Sequence, residues 1–294
     1  MGVSDDSASI GPVPVARTIA QVRSQVASWR RAGRAIALVP TMGALHEGHL
    51  SLVRAGAAVA DHVVVSIFVN PTQFGPNDDF DRYPRREEED RQRLGTVGTA
   101  LLFAPPVAEM YPPGASTTVT VGGVSEGLCG DFRPGHFAGV ATIVTKLLLQ
   151  VLPDVALFGE KDYQQLQVIR HLTHDLDIPV RIEGVPTVRE ADGLAMSSRN
   201  SYLAPEERRT AAALYAALRG VATAVREGGA STATACAEAS AALLRAGFSR
   251  VDYLEVRDAD TLAKVETLSA TSPPARVLAA AWLGRTRLID NLPV

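Results

Sequence analysis

Apolar positions in this chain follow two alternating rhythms. Four short runs are apolar almost throughout, at 35–39, 62–69, 100–104 and 154–158. Strands covered on both faces carry that pattern. A fifth strand is expected at 180–185. Between them lie stretches of helical spacing: Ile19, Val22, Val26 and Trp29 within 15–29, an Ala/Val stretch after Leu52, and 140–151. Strand and helix in alternation predict an α/β fold around a parallel sheet. Residues 116–121 read as one further strand in an excursion from that sheet. Beyond Glu206 the pattern changes to Ala-rich helices (210–226 and 230–246), a strand at 251–256, a short helix, and a hairpin of 276–282 with 287–289. The chain therefore divides near residue 187, into a larger α/β domain at 15–186 and a smaller α+β domain at 187–294. Residues 1–14 are small, polar and Pro/Gly-bearing, and are expected to form a flexible tail.

Composition narrows the classes of function. Hydrophobic residues make up 46% of the 294 and charged residues 21%, ordinary for a soluble globular protein. A formal net charge of −3 gives no electrostatic case for nucleic acid, and 5% aromatic content argues against base-stacking platforms. Two cysteines, Cys129 and Cys236, are too few and too far apart for a disulfide scaffold or a zinc knot. No apolar stretch reaches membrane-spanning length and the start lacks a signal-peptide core, so the expectation is a cytoplasmic protein with no membrane partner.

Chemistry gathers where predicted strands end. After 35–39 comes Pro40-Thr41-Met42-Gly43-Ala44-Leu45-His46-Glu47-Gly48-His49, with Pro40 and Gly43 breaking the strand before a helix. Strand, glycine turn, helix brings backbone N–H groups and a positive helix end to an anion. His46 and His49 are three apart, on one helix face, and imidazoles that charge readily near neutral pH suit a site where phosphate charge builds up. The spacing is one residue short of a zinc-protease motif, and neither a dinucleotide fingerprint nor a P-loop is present. A helix-start residue beside a half-buried ring is the plainer alternative.

Asn70 and Gln73 close the 62–69 strand and are expected beside the histidine turn if the two strands are neighbours; a plain turn is the rival. Gly123-Val124-Ser125-Glu126-Gly127 matches a nucleophile elbow by letters, but no helix follows, so the match is accidental. Arg133-Pro134-Gly135-His136 puts a fixed cation and a titratable ring before an apolar helix, a composition suited to a carboxylate. Gly159-Glu160-Lys161-Asp162 repeats strand, glycine, helix, with Gln165 one turn on. Lys161 at a helix N-terminus opposes the macrodipole, and either a polyphosphate or Asp162 must compensate it. Met196-Ser197-Ser198-Arg199-Asn200 supplies hydroxyls and a guanidinium for phosphate oxygens, or an N-cap for the next helix. Glu87 to Asp90 are acidic residues opening a helix, stabilising there on dipole grounds alone.

In order and together, these stretches resemble the pantoate–β-alanine ligase family of the nucleotidyltransferase superfamily, over about residues 15–292. The resemblance implies a Rossmann-like nucleotide-binding domain that holds ATP and pantoate; the C-terminal domain, which offers no evident nucleophile or metal cluster, is expected to cover the cleft as a lid. It implies ATP-dependent joining of pantoate to β-alanine through a pantoyl adenylate, with AMP and pyrophosphate released. His49 aligns with the family's catalytic histidine, with His46, Lys161 and Arg199 as further cationic groups. ATP would meet Met42, Gly43, Ala44, Leu45, His46, Glu47, Gly48 and His49. Gly159, Glu160, Lys161, Asp162 and Val188 match further ATP positions, as do Met196, Ser197, Ser198 and Arg199. Gln73 and Gln165 match pantoate-binding glutamines; Asn70, Arg133 and His136 point toward β-alanine. Mg²⁺ is implied, with Glu89 and Asp90 near the acidic pair, and so is a homodimer. Rival readings are another nucleotidyltransferase, whose product would be a stable nucleotide conjugate, and a nucleotide-binding protein without turnover.

Overall fold

A computed structural model describes residues 13–76, 78–269 and 271–294. Six strands form the larger sheet: β1 (Val15–Ala16), β2 (Ile36–Thr41), β3 (His62–Ile67), β4 (Thr99–Phe103), β5 (Val155–Gly159) and β6 (Arg181–Val185). Their order is β1-β4-β3-β2-β5-β6, and every adjacent pair is parallel. β2 explains the uniform apolar runs. Ile36 and Leu38 join one core with helices Ile19–Arg31, His136–Val151 and Tyr163–Asp175, while Ala37 and Val39 join another with helix Glu47–Ala57. A strand sandwiched between two helical layers has no polar face.

The chain leaves β2 toward β3 on one side and places β5 on the other. That reversal opens a crevice beyond the carboxyl ends of β2 and β5, the usual ligand position in an open α/β sheet.

The second sheet is antiparallel, β7 (Arg250–Asp258), β8 (Ala275–Leu283) and β9 (Thr286–Pro293). Val277, Ala279 and Ala281 of β8 pack with helices Ala213–Gly228 and Thr232–Ala246. Leu278 and Ala280, on the other face, join Tyr253 in the core that also holds Tyr163 and Leu166. The small sheet thus leans on the helix after β5.

Several expectations need correction. Val15 and Ala16 form an edge strand, not a first helical turn, because the helix begins only at Ile19, where Thr18 and Gln21 form a reciprocal cap. Of the expected tail, residues 1–12 lie outside the described residues. Val13 and Pro14 are fixed: Val13 is buried, its carbonyl accepts from Arg91, and that of Pro14 accepts from the Leu102 N–H. Pro40 does not end β2, which pairs through Pro40 and Thr41 with Ser66 and Ile67. Residues 116–121 form no strand, since their backbone finds no neighbouring strand. The Ala-rich helix divides at Ala212 into Pro205–Ala211 and Ala213–Gly228. Among the described residues no helix follows β7; the Asp258 carboxylate accepts the N–H groups of Asp260 and Thr261 and turns the chain instead. Among the described residues no helix is long and apolar enough to cross a membrane.

Candidate active site

Beyond β2 the backbone makes an unusual turn. Gly43 and Ala44 both take positive φ, 86° and 52°. The second conformation is strained for a residue with a Cβ. Helix Glu87–Gly95 holds it in place. The two oxygens of Asp90 accept the N–H groups of Ala44 and Leu45 at 2.8 and 2.7 Å, and Arg93 donates to the Leu45 carbonyl at 2.9 Å. Asp90 is 2% exposed, and Glu89 pairs with Arg93 and Arg86. Neither acid lines the cleft. Glu89 and Asp90 therefore do not fit a magnesium ion: one carboxylate is committed to backbone amides and the other to arginines.

The same turn leads into helix Glu47–Ala57 through a cap built from two imidazoles. His46 Nδ1 accepts the Gly48 N–H at 3.1 Å, and His49 Nδ1 accepts the His46 N–H at 3.3 Å. Those bonds assign the remaining proton of each ring to Nε2. The rings stand 4.2 Å apart, and a Cβ at position 48 would meet the His46 ring at 2.9 Å, so any larger residue there would displace that ring. Burial, followed by the Lys161 charge, pulls His46 down to about 4. Burial, followed by His46 and then Lys161, pulls His49 to about 3. The expectation of readily charged imidazoles is thus corrected: at neutral pH both are neutral N–H donors.

β2 and β3 are indeed neighbours, and the turn Pro71–Gln73 stands beside the histidine turn. Asn70, 1% exposed, donates to Gln73 Oε1 at 3.0 Å and to the Gly139 carbonyl at 3.1 Å. Gln73 Nε2 faces Met42 Sδ at 3.2 Å. From behind, His136 Nδ1–H donates to the Gln73 carbonyl at 2.9 Å, and its Nε2 accepts from Arg133 at 3.0 Å. Arg133 in turn pairs with Asp78. Burial and the Arg133 charge hold His136 down to about 4.

These pieces meet in one cleft. A cavity of about 210 Å³ is lined by Met42, His46, Gly48, His49, Asn70 and Gln73 from the β2 and β3 ends. Gly159, Lys161, Asp162 and Gln165 line it from the β5 end, and Val188 with residues 196–199 closes it. It opens into an outer lobe of about 530 Å³ through Lys161, Asp162, Gln165, Ser197 and Arg199, and there Arg133 and His136 appear. Gly43, Ala44, Leu45, Glu47 and Glu160 line neither lobe. Leu45 is core, Glu47 turns outward to Arg54, and Glu160 pairs with Arg276.

Three contributors escaped the sequence reading. Asp79 binds Arg199 through both oxygens at 3.1 and 2.8 Å. Tyr83 is buried against Ser198, 3.4 Å from its hydroxyl. Asn291, in β9, holds the lysine turn. Asp79 adjoins a second aspartate in a loop, a weak hint; the other two leave no local signal.

The three depressed histidines carry a stability prediction. Between their folded values and the ordinary 6.5, the unfolded chain binds protons that the folded chain refuses. Stability is present above pH 6.5 and falls as pH drops, by at most about 1.4 kcal/mol per pH unit per ring. Urea midpoints from about pH 7 to about pH 5 should decline steadily; a flat profile would contradict the neutral assignment.

A family model described as pantoate-beta-alanine ligase matches residues 14–293. The chain belongs to that family. A pantothenate synthetase from Paramagnetospirillum magneticum is 64% identical over 282 residues, 96% of this chain and 98% of its own. The crystal structure of pantothenate synthetase from Thermus thermophilus superposes with a TM-score of 0.88 at 47% identity, covering 95% of this chain and 99% of that one. A Francisella tularensis pantoate-beta-alanine ligase, complexed with beta-gamma ATP and beta-alanine, gives a TM-score of 0.79 at 34% identity, with 95% and 97% covered. The protein is accordingly an enzyme, a ligase with the Rossmann-like sheet and small antiparallel sheet of its relatives.

Proposed function

We propose that this cleft joins pantoate to β-alanine at the expense of ATP, through a pantoyl adenylate. The observation that carries the reading is the convergence of the two-imidazole turn, the lysine turn and the Ser197–Arg199 loop on one cavity that also holds Gln73 and Gln165. In the first step a pantoate carboxylate oxygen attacks the α-phosphorus of ATP, the bond to the β-phosphate breaks, and pyrophosphate leaves. In the second the β-alanine amine attacks the acyl carbon, loses a proton, and AMP departs.

Negative charge moves onto the departing pyrophosphate, so catalysis rests on positioning and electrostatic stabilisation. Lys161 and Arg199 supply full charges, while His46 and His49 supply neutral Nε2–H donors. Arg199 exchanges Asp79 for phosphate oxygen when nucleotide enters. Gln73 and Gln165 orient the pantoate hydroxyl and carboxylate groups. Asn70 and His136 act by holding Gln73, and Arg133 faces the outer lobe from which an amino acid carboxylate arrives. No side chain needs to bond covalently to substrate.

Residues 187–294 serve as the lid that keeps water from the adenylate, a reading supported by the position of residues 194–200 over both lobes. We assign the enzyme to the cytoplasm, without nucleic-acid or membrane partners, and on family resemblance as a homodimer. The deciding experiment is exchange of labelled pyrophosphate into ATP with and without pantoate, followed by AMP release on adding β-alanine. Exchange that ignores pantoate, or ADP as product, would falsify the ligase chemistry stated here.

A further inference from the structure

The lysine turn is held by a residue from the other sheet. Asn291, 3% exposed on β9, donates from Nδ2 to the carbonyls of Glu160 and Lys161 at 2.8 and 2.9 Å. Its Oδ1 accepts from Arg276, whose other nitrogen pairs with Glu160 at 3.1 Å and whose guanidinium lies over the Tyr163 ring. The adjacent Asp290 binds Arg189 through both oxygens, at 2.6 and 2.9 Å. Arg189 also donates to the Asn291 carbonyl at 3.3 Å. It follows Val188, whose carbonyl takes the Met196 N–H at 3.0 Å and so starts the loop that ends in Ser197, Ser198 and Arg199.

We propose that Asn291, seconded by the Asp290–Arg189 pair, is the positioning residue that sets Lys161 and ties its turn to the Ser197–Arg199 loop. Both peptide carbonyls flanking the Lys161 backbone are aimed by one amide, so the ammonium's place in the cleft depends on β9. With its donors and acceptor all engaged in a buried site, Asn291 has one orientation available. The two phosphate-facing segments thereby move as a unit.

The inference rests on the reading of Lys161 as a phosphate-facing cation, and a double-mutant cycle separates the two. Binding of ATP and of AMP is measured by calorimetry for the wild type, Lys161→Ala, Asn291→Ala and the double variant, with adenylation rates alongside. Asn291→Ala should weaken ATP about tenfold while AMP changes by less than about twofold, and should add nothing once Lys161 is alanine. A packing defect alone would weaken both nucleotides alike, and would add to Lys161→Ala. Asn291→Asp guards against a variant that fails to fold: it keeps the shape and the acceptor for Arg276 but turns an oxygen toward the two carbonyls. It should reproduce the loss of ATP preference. Additive effects, with Lys161→Ala itself selective against ATP, overturn the positioning role alone. A Lys161→Ala variant with unchanged ATP preference overturns the phosphate-facing reading and this inference together.

Discussion

Alanine at Lys161 or at His49 is expected to slow pantoate-dependent pyrophosphate exchange by about 10²–10³-fold, the usual loss when one preorganised electrostatic donor is removed. Pantoate affinity should stay within roughly threefold of wild type, because the charge these groups answer lies on the triphosphate and grows on the departing pyrophosphate, not on pantoate. The two variants should differ in character. Lys161 lines the cleft as an ammonium beside Asp162, so its loss removes a full charge. His49 is neutral, held near 3 by burial and its neighbours, so its loss removes a hydrogen-bond donor. The His49 deficit should therefore stay constant between about pH 6 and about pH 8, where an imidazolium losing its charge would have made the deficit shrink. Equal losses in rate and in pantoate binding would contradict the transition-state role for either residue.

Gly139→Ala is the second large effect. A Cβ there would stand 2.4 Å from the Thr72 carbonyl oxygen and 2.7 Å from Gln73 Cα. Both are backbone atoms, so no rotamer change relieves the clash; helix His136–Val151 must part from the Pro71–Gln73 turn. Overpacking of this kind costs about 3 kcal/mol, a melting point lower by about 5–10 °C in a chain this long. The catalytic consequence follows from Asn70, which bonds both the Gly139 carbonyl and Gln73 Oε1. Moving one partner loosens the other, and KM for pantoate should rise about tenfold or more. An unchanged melting point together with an unchanged KM would show that the turn yields more easily than its contacts imply.

What could be read from the chain and what could not divide along sequence distance. β2, β3 and β5 were legible because burial on both faces leaves an uninterrupted apolar run, and turns at their ends carry polar residues that the run excludes. His46, Lys161 and Arg199 were visible as groups out of keeping with local structure: a ring in a cap position, a cation at the wrong helix end, a guanidinium in a serine loop. Pro40 misled because a missing N–H looks like a strand terminator, yet β2 continues through it in register with β3. Residues 116–121 have strand chemistry without a partner strand, which no local pattern records. The groups that hold the site were hidden for a different reason. Asp90 reaches the turn at Ala44, Asp79 reaches Arg199, and Asn291 reaches Lys161 across long stretches of chain. An acid opening a helix is explained locally by the macrodipole, so nothing in the string of residues marks Asp90 as a clamp.

Three cations of the cleft are matched before any ligand arrives: Arg199 by Asp79, Arg133 by Asp78 and Lys161 by Asp162. Paired charges cancel beyond a Debye length, so a free nucleotide diffusing past feels little long-range pull from them. These three pairs therefore add little electrostatic steering to capture. On the function proposed above, discrimination among polyanions falls after encounter, when a triphosphate must take Arg199 from Asp79 and Lys161 from Asp162.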